Sequence, residues 1–467
     1  MSASDARGWF GPVFALVAAI TAARLVLLAF DRTDPFVDEV QYWLWGQSLD
    51  WGYYSKPPLI AWVMRGVTDL AGSDARFWLR MPGAVLHGVT ALILGALAVR
   101  LYGAAAGPWV AAGYVTLPMV AVGSLLFSTD TVMAPFLAAA LMFWHRACSG
   151  GGMRDAALAG VCAGLAGLAK YAGVYLVPGL AVAALLSPGW RASWRHWAIF
   201  LGATMLVLSP NIAWNLANDL TTLSHTADNA AWVREGALFS PASLARFWAE
   251  QFAVAGPLVA GAFVVALWRW RVVDRALLGF AALVLAVVSL QAFLGGANAN
   301  WAAAAWLPGT VVAMMAMSVR MRVLSLMVNG SIALILPVMT LFPQVGPDGN
   351  PLLQRYLGRA DLSRQIIAAS GALPIVADRR DVLADLFYTG RDQGLTILAR
   401  PHAGRARHFY EQVHSLPRGL MGDVLLVTGD PGDCPVVSAG SLATEGGGYQ
   451  GQGLALWRVP AACLHDQ

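Results

Sequence analysis

Charge is what this chain has least of. Asp, Glu, Lys and Arg make up 12% of it, where soluble domains carry about 25%. With 58% hydrophobic residues and a mean hydropathy of +0.58, the composition excludes an ordinary soluble enzyme and points to a bilayer. Lysine is rarer still: Lys56 and Lys170 stand against twenty-nine arginines. A codon bias toward arginine accounts for the scarcity but not for the positions of the two survivors. No HExxH, paired CxxC or EF-hand spacing occurs, so no metal centre is legible. A divalent ion on Asp38, Glu39 or Asp130 is left open, and no other cofactor is implied. No Walker A or GxGxxG lies in a strand–turn–helix context, which argues against a bound nucleotide, and nothing points to nucleic acid. Internal repeats are absent, and the one glycine-rich tract, EGGGYQGQG (445–453), reads as a loop.

Long apolar runs are plentiful. Eleven segments approach spanning length, near 10–30, 82–101, 108–127, 131–146, 156–170, 172–187, 197–213, 248–268, 276–294, 302–318 and 323–342. The segments 131–146 and 156–170 are short against the ~20 residues a bilayer needs. The first run, from Trp9 to Phe30, is long enough to cross and lacks a cleavage pattern. Arginines alternate between the gaps: Arg7, Arg100, Arg146 and Arg154, Arg191 and Arg195, Arg269 to Arg275, Arg320 and Arg322. The positive-inside rule makes their side cytoplasmic. A multi-pass membrane protein follows, with its N-terminus inside and its C-terminus outside. The other face receives 31–81, FSTD (127–130), the LAKYAG junction, 214–247, GGANAN and everything beyond Phe342. Aromatic-rich 31–81 is expected to lie along the interface as short amphipathic helices.

From Gln344 the composition turns soluble. PIVAD (374–378), LTILA (395–399), DVLLVTG (423–429) and GLALWRV (453–459) read as strands, and RRDVLADLFYTG (379–390) as a helix ending at Gly390. The expected organisation is therefore a transmembrane core over 1–343 and a small extracytoplasmic α/β domain over 344–467. Cys434 and Cys463 fall in that domain, either as a disulfide or as free thiols.

The densest chemistry lies in DPFVDEVQYWLWGQSLDWGYYSKPPLIAW (34–62), which sets adjacent acids, a belt of Trp and Tyr, and Lys-Pro-Pro behind an apolar helix. This stretch and RMPGAVLHG after it resemble the first extracytoplasmic loop of the dolichyl-phosphate-mannose–protein mannosyltransferase superfamily. The likeness is to the bacterial branch that includes lipid A aminoarabinose transferases, of the GT-C fold. It continues through FSTD, GLAKYAGVYLVPG (167–179), SPNIAWN (209–215) and NANW (298–301), roughly the first 300 residues. It implies a multi-spanning α-helical GT-C protein, here of about eleven transmembrane helices plus the α/β domain. Such an enzyme moves a monosaccharide from a polyprenyl-phosphate donor to an acceptor hydroxyl, with inversion.

By the resemblance Asp38 is the base that deprotonates the acceptor, with Glu39 its partner and Asp130 a second acid of the site. Lys56, beside Tyr53 and Tyr54, answers to the family's Lys-Pro and is assigned the lipid phosphate, whose charge grows as it leaves. Tyr53, Tyr54, Lys170 and Tyr171, with Asn215, Asn300 and Trp301, are candidates for donor phosphate and sugar. Each has a plainer reading. Asp38 could serve the dipole of an interfacial helix, Asp130 could cap a helix beginning at Thr131, and the lysines could snorkel to headgroups. His87 reads as a satisfied interhelical hydrogen bond. The small residues of GVCAGLAGLAKY predict tight helix packing. Arginines on the outer face of the core are too few to insist on an acidic sugar, and the acceptor could be a glycolipid, a polysaccharide or a protein. The rival is a transporter or flippase of lipid-linked sugars, which should show half-helices and repeat symmetry.

Overall fold

The computed structural model describes residues 8–229, 239–346 and 350–465. Its helices, in chain order, are α1 (Phe10–Ala29), α2 (Val37–Gly46), α3 (Leu59–Ala71), α4 (Arg76–Tyr102), α5 (Ala106–Val115), α6 (Pro118–Gly123), α7 (Thr129–Arg146), α8 (Gly152–Ala169) and α9 (Leu176–Leu186). They continue as α10 (Trp194–Ala217), α11 (Thr221–Asn229), α12 (Pro241–Ala255), α13 (Pro257–Trp268), α14 (Arg275–Gly295), α15 (Trp306–Ala316) and α16 (Val319–Met339), then α17 (Arg359–Ser370), α18 (Arg380–Thr389) and α19 (Phe409–Val413). The chain divides into two compact units. One comprises the residues up to Phe30 and Lys56–Val338; the other comprises Asp31–Ser55 and the chain from Met339 on.

The first unit is helical throughout. Among the described residues six stretches are long and apolar enough to cross a membrane, and a seventh if the bent pair α12–α13 counts as one. One of the six, 129–169, is not a straight rod. At 1.5 Å per residue a straight helix of that length would separate its ends by about 60 Å, yet Lys170 Nζ lies 2.7 Å from Asp130 Oδ1. The chain turns back at Ser149 and Gly150, where Gly150 takes φ +94°. The apolar run 108–127 is likewise interrupted, because Pro118 starts α6 and has no N–H to continue α5. The run 302–318 begins as a 3-10 turn over Ala299–Ala305 before α15.

Small residues decide the packing of α8 on α10. A Cβ on Gly160 would sit 2.3 Å from Phe200 O, and one on Gly164 would sit 2.5 Å from Val207 Cβ. Thr204 Oγ1 donates to Phe200 O at 2.8 Å. The close approach predicted from GVCAGLAGLAKY is thus met. His87 satisfies both ring nitrogens, with Tyr114 Oη at 3.0 Å and Thr131 Oγ1 at 3.2 Å.

The second unit is built on a five-stranded mixed sheet of order β2-β1-β3-β5-β4. The strands are β1 (Ile375–Ala377), β2 (Ile397–Ala399), β3 (Asp423–Thr428), β4 (Val437–Ser441) and β5 (Ala455–Pro460). β1 runs parallel to β2 and β3, while β5 is antiparallel to β3 and β4. On one face the core gathers Leu362, Ile366, Val382, Leu386, Leu425 and Val427, and it also takes in Val37 and Val40 of α2. The early segment is therefore folded into the sheet unit. Its entry is pinned by Asp34, whose Oδ2 accepts the Arg359 N–H at 2.9 Å at the start of α17. The other face holds Val376, Val424, Leu426 and Val459. A disulfide joins Cys434 to Cys463 there, with Cα atoms 5.8 Å apart, which resolves the choice the sequence left open.

Candidate active site

The expected residues gather in two clusters, one in each unit. In the helical unit the centre is Asp130. Asp130 does not cap a helix beginning at Thr131. The helix begins at Thr129, and Ser128 is the cap, its Oγ accepting the Thr131 N–H at 3.4 Å. The serine meets the orphan amide, so the Asp130 carboxylate is spent elsewhere. It accepts Lys170 Nζ at 2.7 and 2.8 Å and Asn300 Nδ2 at 2.9 Å.

Lys170 reaches it because α8 ends there. Lys170 takes extended backbone angles (φ −156°, ψ +135°) at the C-cap, and a 3-10 turn over Tyr171–Tyr175 follows. Tyr171 starts a second knot: its hydroxyl donates to Asn211 Oδ1 at 3.0 Å and accepts from Asn215 Nδ2 at 3.0 Å. Trp301 follows Asn300 in its 3-10 turn and is half-buried. Lys56 is half-buried directly before Pro57 and Pro58, and Pro58 is the N-cap of α3. α3 packs against α4, α7 and α8.

In the sheet unit the two adjacent acids separate in role. Glu39 is buried and caps the first turn of α2 from its N3 position, its Oε2 accepting the Phe36 N–H at 2.9 Å. Asp38, one residue earlier on α2, faces α18 and forms an ion pair with Arg380. Gln41, one turn on and so on the same face, accepts Arg380 Nε at 2.8 Å. Burial depresses the Arg380 guanidinium, and Asp38 more than compensates, holding it above its ordinary value. Tyr53 is a strut: it stacks on Trp45 with centroids 4.7 Å apart, and its hydroxyl lies 3.0 Å from Trp45 O. Burial pushes that phenol up to about 12. Tyr54 donates to Ala406 O at 2.9 Å. Burial also raises its phenol, against the pull of Arg405 and Arg380.

Arg380 is the residue sequence reasoning passed over, as part of a helix and nothing more. A signal was available. Arg379 and Arg380 stand at the start of α18, where the positive end of the helix dipole repels cations, so each needs an anion nearby. Arg379 finds Asp381 at 2.8 Å, and Arg380 finds Asp38. α18 is itself anchored by Asp385, which accepts Arg359 Nη2 at 3.1 Å and the Tyr449 hydroxyl at 2.5 Å. Burial pushes the Asp385 carboxyl up to about 7, against the pull of Arg359 and Tyr449. Among the described residues no group of three or more His, Cys, Asp and Glu side chains could hold a metal ion.

A helical membrane unit with a carboxylate–lysine–amide cluster, and a sheet unit carrying a second acid, is the arrangement expected of the GT-C glycosyltransferase class. Residues 55–214 match the family model described as dolichyl-phosphate-mannose-protein mannosyltransferase, a stretch that holds Lys56, Asp130, Lys170 and Tyr171. The chain belongs to this family and is a multi-pass membrane glycosyltransferase. It is 41% identical over 470 residues to the lipid A galacturonosyltransferase RgtD of Rhizobium johnstonii, covering 96% of this chain and 98% of that one. Among solved structures it is similar to ArnT from Cupriavidus metallidurans. With undecaprenyl phosphate bound, ArnT gives a TM-score of 0.67 at 14% identity over 96% of this chain and 99% of that one. The apo form gives 0.64 at 13% identity over 96% and 98%.

Proposed function

We propose that this protein transfers a uronic sugar, of the galacturonic type, from a polyprenyl-phosphate donor to lipid A on the periplasmic face of the inner membrane. The observation that carries this reading is the full-length likeness to a lipid A galacturonosyltransferase. In this reading the chain crosses the bilayer eleven times with its N-terminus in the cytoplasm, and the domain over 344–467 is periplasmic.

Asp38 takes the proton of the acceptor hydroxyl. The ammonium groups of Lys56 and Lys170 serve the donor phosphate, for which a compact charge on a flexible stem is suited. Asp130 and Asn300 hold Lys170 in place, and Glu39 supports Asp38 by fixing the first turn of α2. Tyr171, Asn215 and Trp301 suit the sugar: Asn215 Oδ1 is buried with no hydrogen-bond partner among the described residues, and such an acceptor fits a sugar hydroxyl. Tyr53 and Tyr54 shape the loop beside Lys56 and stand as further candidates for the donor.

The test is transfer of labelled sugar from polyprenyl-phosphate galacturonate to lipid A in membranes holding the wild type or Asp38→Asn. The expected result is labelled lipid A with the wild type alone. Equal labelling by both proteins removes Asp38 as the base; no labelling by a folded wild type removes the donor or the acceptor.

A further inference from the structure

The sheet unit holds a guanidinium beside the candidate base. Arg380 is engaged on both edges of its fork. Its Nε donates to Gln41 Oε1 at 2.8 Å, which sets the plane of the fork, while the Nη edge carries the ion pair with Asp38. The side chains of Arg380 and Asp38 are 37% and 44% exposed, so partners can exchange on that edge without opening the core. Arg405 is exposed beside the Tyr54 hydroxyl, and Arg380 also acts on that phenol.

We propose that Arg380 determines sugar specificity by serving two carboxylates in turn, that of Asp38 and that of a uronic donor. This rests on Asp38 being the base. When the sugar carboxylate occupies the Nη edge, Asp38 is released from its cation and is free to meet the acceptor hydroxyl. The acceptor oxygen then bonds to the anomeric carbon as the bond from that carbon to the phosphate oxygen breaks. The electron pair leaves with the polyprenyl phosphate, and the hydroxyl proton passes to Asp38. A neutral hexose offers no carboxylate, leaves Asp38 paired, and reacts slowly. Arg380 is a specificity-determining residue, and Gln41 positions it.

The experiment compares kcat/KM for polyprenyl-phosphate galacturonate and polyprenyl-phosphate galactose in the wild type, Arg380→Gln and Arg380→Lys, on the full-length protein in detergent. Arg380→Gln is expected to cut the preference for the uronate by about 30-fold, the scale of a lost bidentate charge-assisted contact. Arg380→Lys is expected to fall between. An unchanged preference, or equal loss on both donors, overturns the proposal. Protection against thermal unfolding by galacturonate 1-phosphate relative to galactose 1-phosphate reads the same preference without turnover, and an equal response in wild type and Arg380→Gln also overturns it. Asp38→Asn keeps the two readings apart. Full activity in that variant removes the base, whereas an unchanged preference in Arg380→Gln removes only the carboxylate reader.

Discussion

The acid–cation pairs at Asp130 and at Asp38 are alike in chemistry and opposite in setting. Lys170 and Asp130 lie within the helical unit, 15% and 17% exposed at the side chain, with both carboxylate oxygens engaged and Asn300 added. Arg380 and Asp38 lie in the sheet unit, 37% and 44% exposed. A largely buried pair is costly to break, because removing one partner strands a charge in a poor solvent. An exposed pair contributes little to stability, since water competes for both partners. The first pair therefore reads as a fixed part of the site and the second as an exchangeable one.

The largest expected effect concerns chemistry. Asp38→Asn should lower transfer by about 100-fold or more, the range of a lost general base, while the protein still folds; the assay is labelled lipid A per mole of folded protein. Next is the disulfide that sharpens the contrast between units. The helical unit keeps Cys148 and Cys162 as thiols, and the sheet unit closes a loop with a sequence separation of 29. Replacing Cys434 and Cys463 by Ser should cost about 3 kcal/mol by loop entropy, seen as a lower melting temperature of the sheet unit.

A third comparison strikes at the pairs themselves. Lys170→Met should cost about 2–3 kcal/mol, at or below the lower end for a broken buried pair because the site keeps some exposure. Arg380→Gln should cost no more than about 1 kcal/mol. Denaturant titration of both variants decides it, and equal losses would falsify the distinction drawn between them.

A further expectation is a pH dependence confined to the sheet unit. The Asp385 carboxyl is raised to about 7 from its ordinary 3.8, so the folded state holds a proton that the unfolded chain has released. Its contribution is complete below about pH 4 and is lost as pH rises through 7. Asp385→Asn keeps the acceptor for Arg359 and should flatten the slope of melting temperature between pH 4 and 7; an unchanged slope would assign the dependence to another group.

Much of the architecture was legible because burial in a bilayer writes itself in composition. The expected apolar runs fall largely on helix, though among the described residues six or seven stretches, not eleven, are long and apolar enough to cross a membrane, and the four expected strands fall within a residue or two of β1, β2, β3 and β5. β4 went unread because Val437–Ser441 is exposed along its length, so it carries no alternation of apolar and polar residues. Asp130 and Lys170 were both visible as oddities, a lysine in a lysine-poor chain and an acid between two apolar runs. Their contact was not, since nothing local to either predicts that α7 and α8 fold back on each other. Asp38 and Glu39 were indistinguishable as neighbours. Their separation follows from helix geometry, which turns the third residue of α2 back to Phe36 and the second outward to α18.

What the sequence by itself determined is the solvent each segment prefers. The scarcity of charge sends most of the first 340 or so residues to helix and membrane, the turn signals and alternation beyond them build a sheet, and the motifs mark the family. Partner choice was left to the tertiary structure. Asp38 and Arg380 are 342 residues apart, and they meet because Val37 and Val40 are buried in the same core as Val382 and Leu386. Hydrophobic burial acts over the whole fold without regard to separation along the chain, and the polar groups riding on the buried faces take the neighbours that burial assigns them.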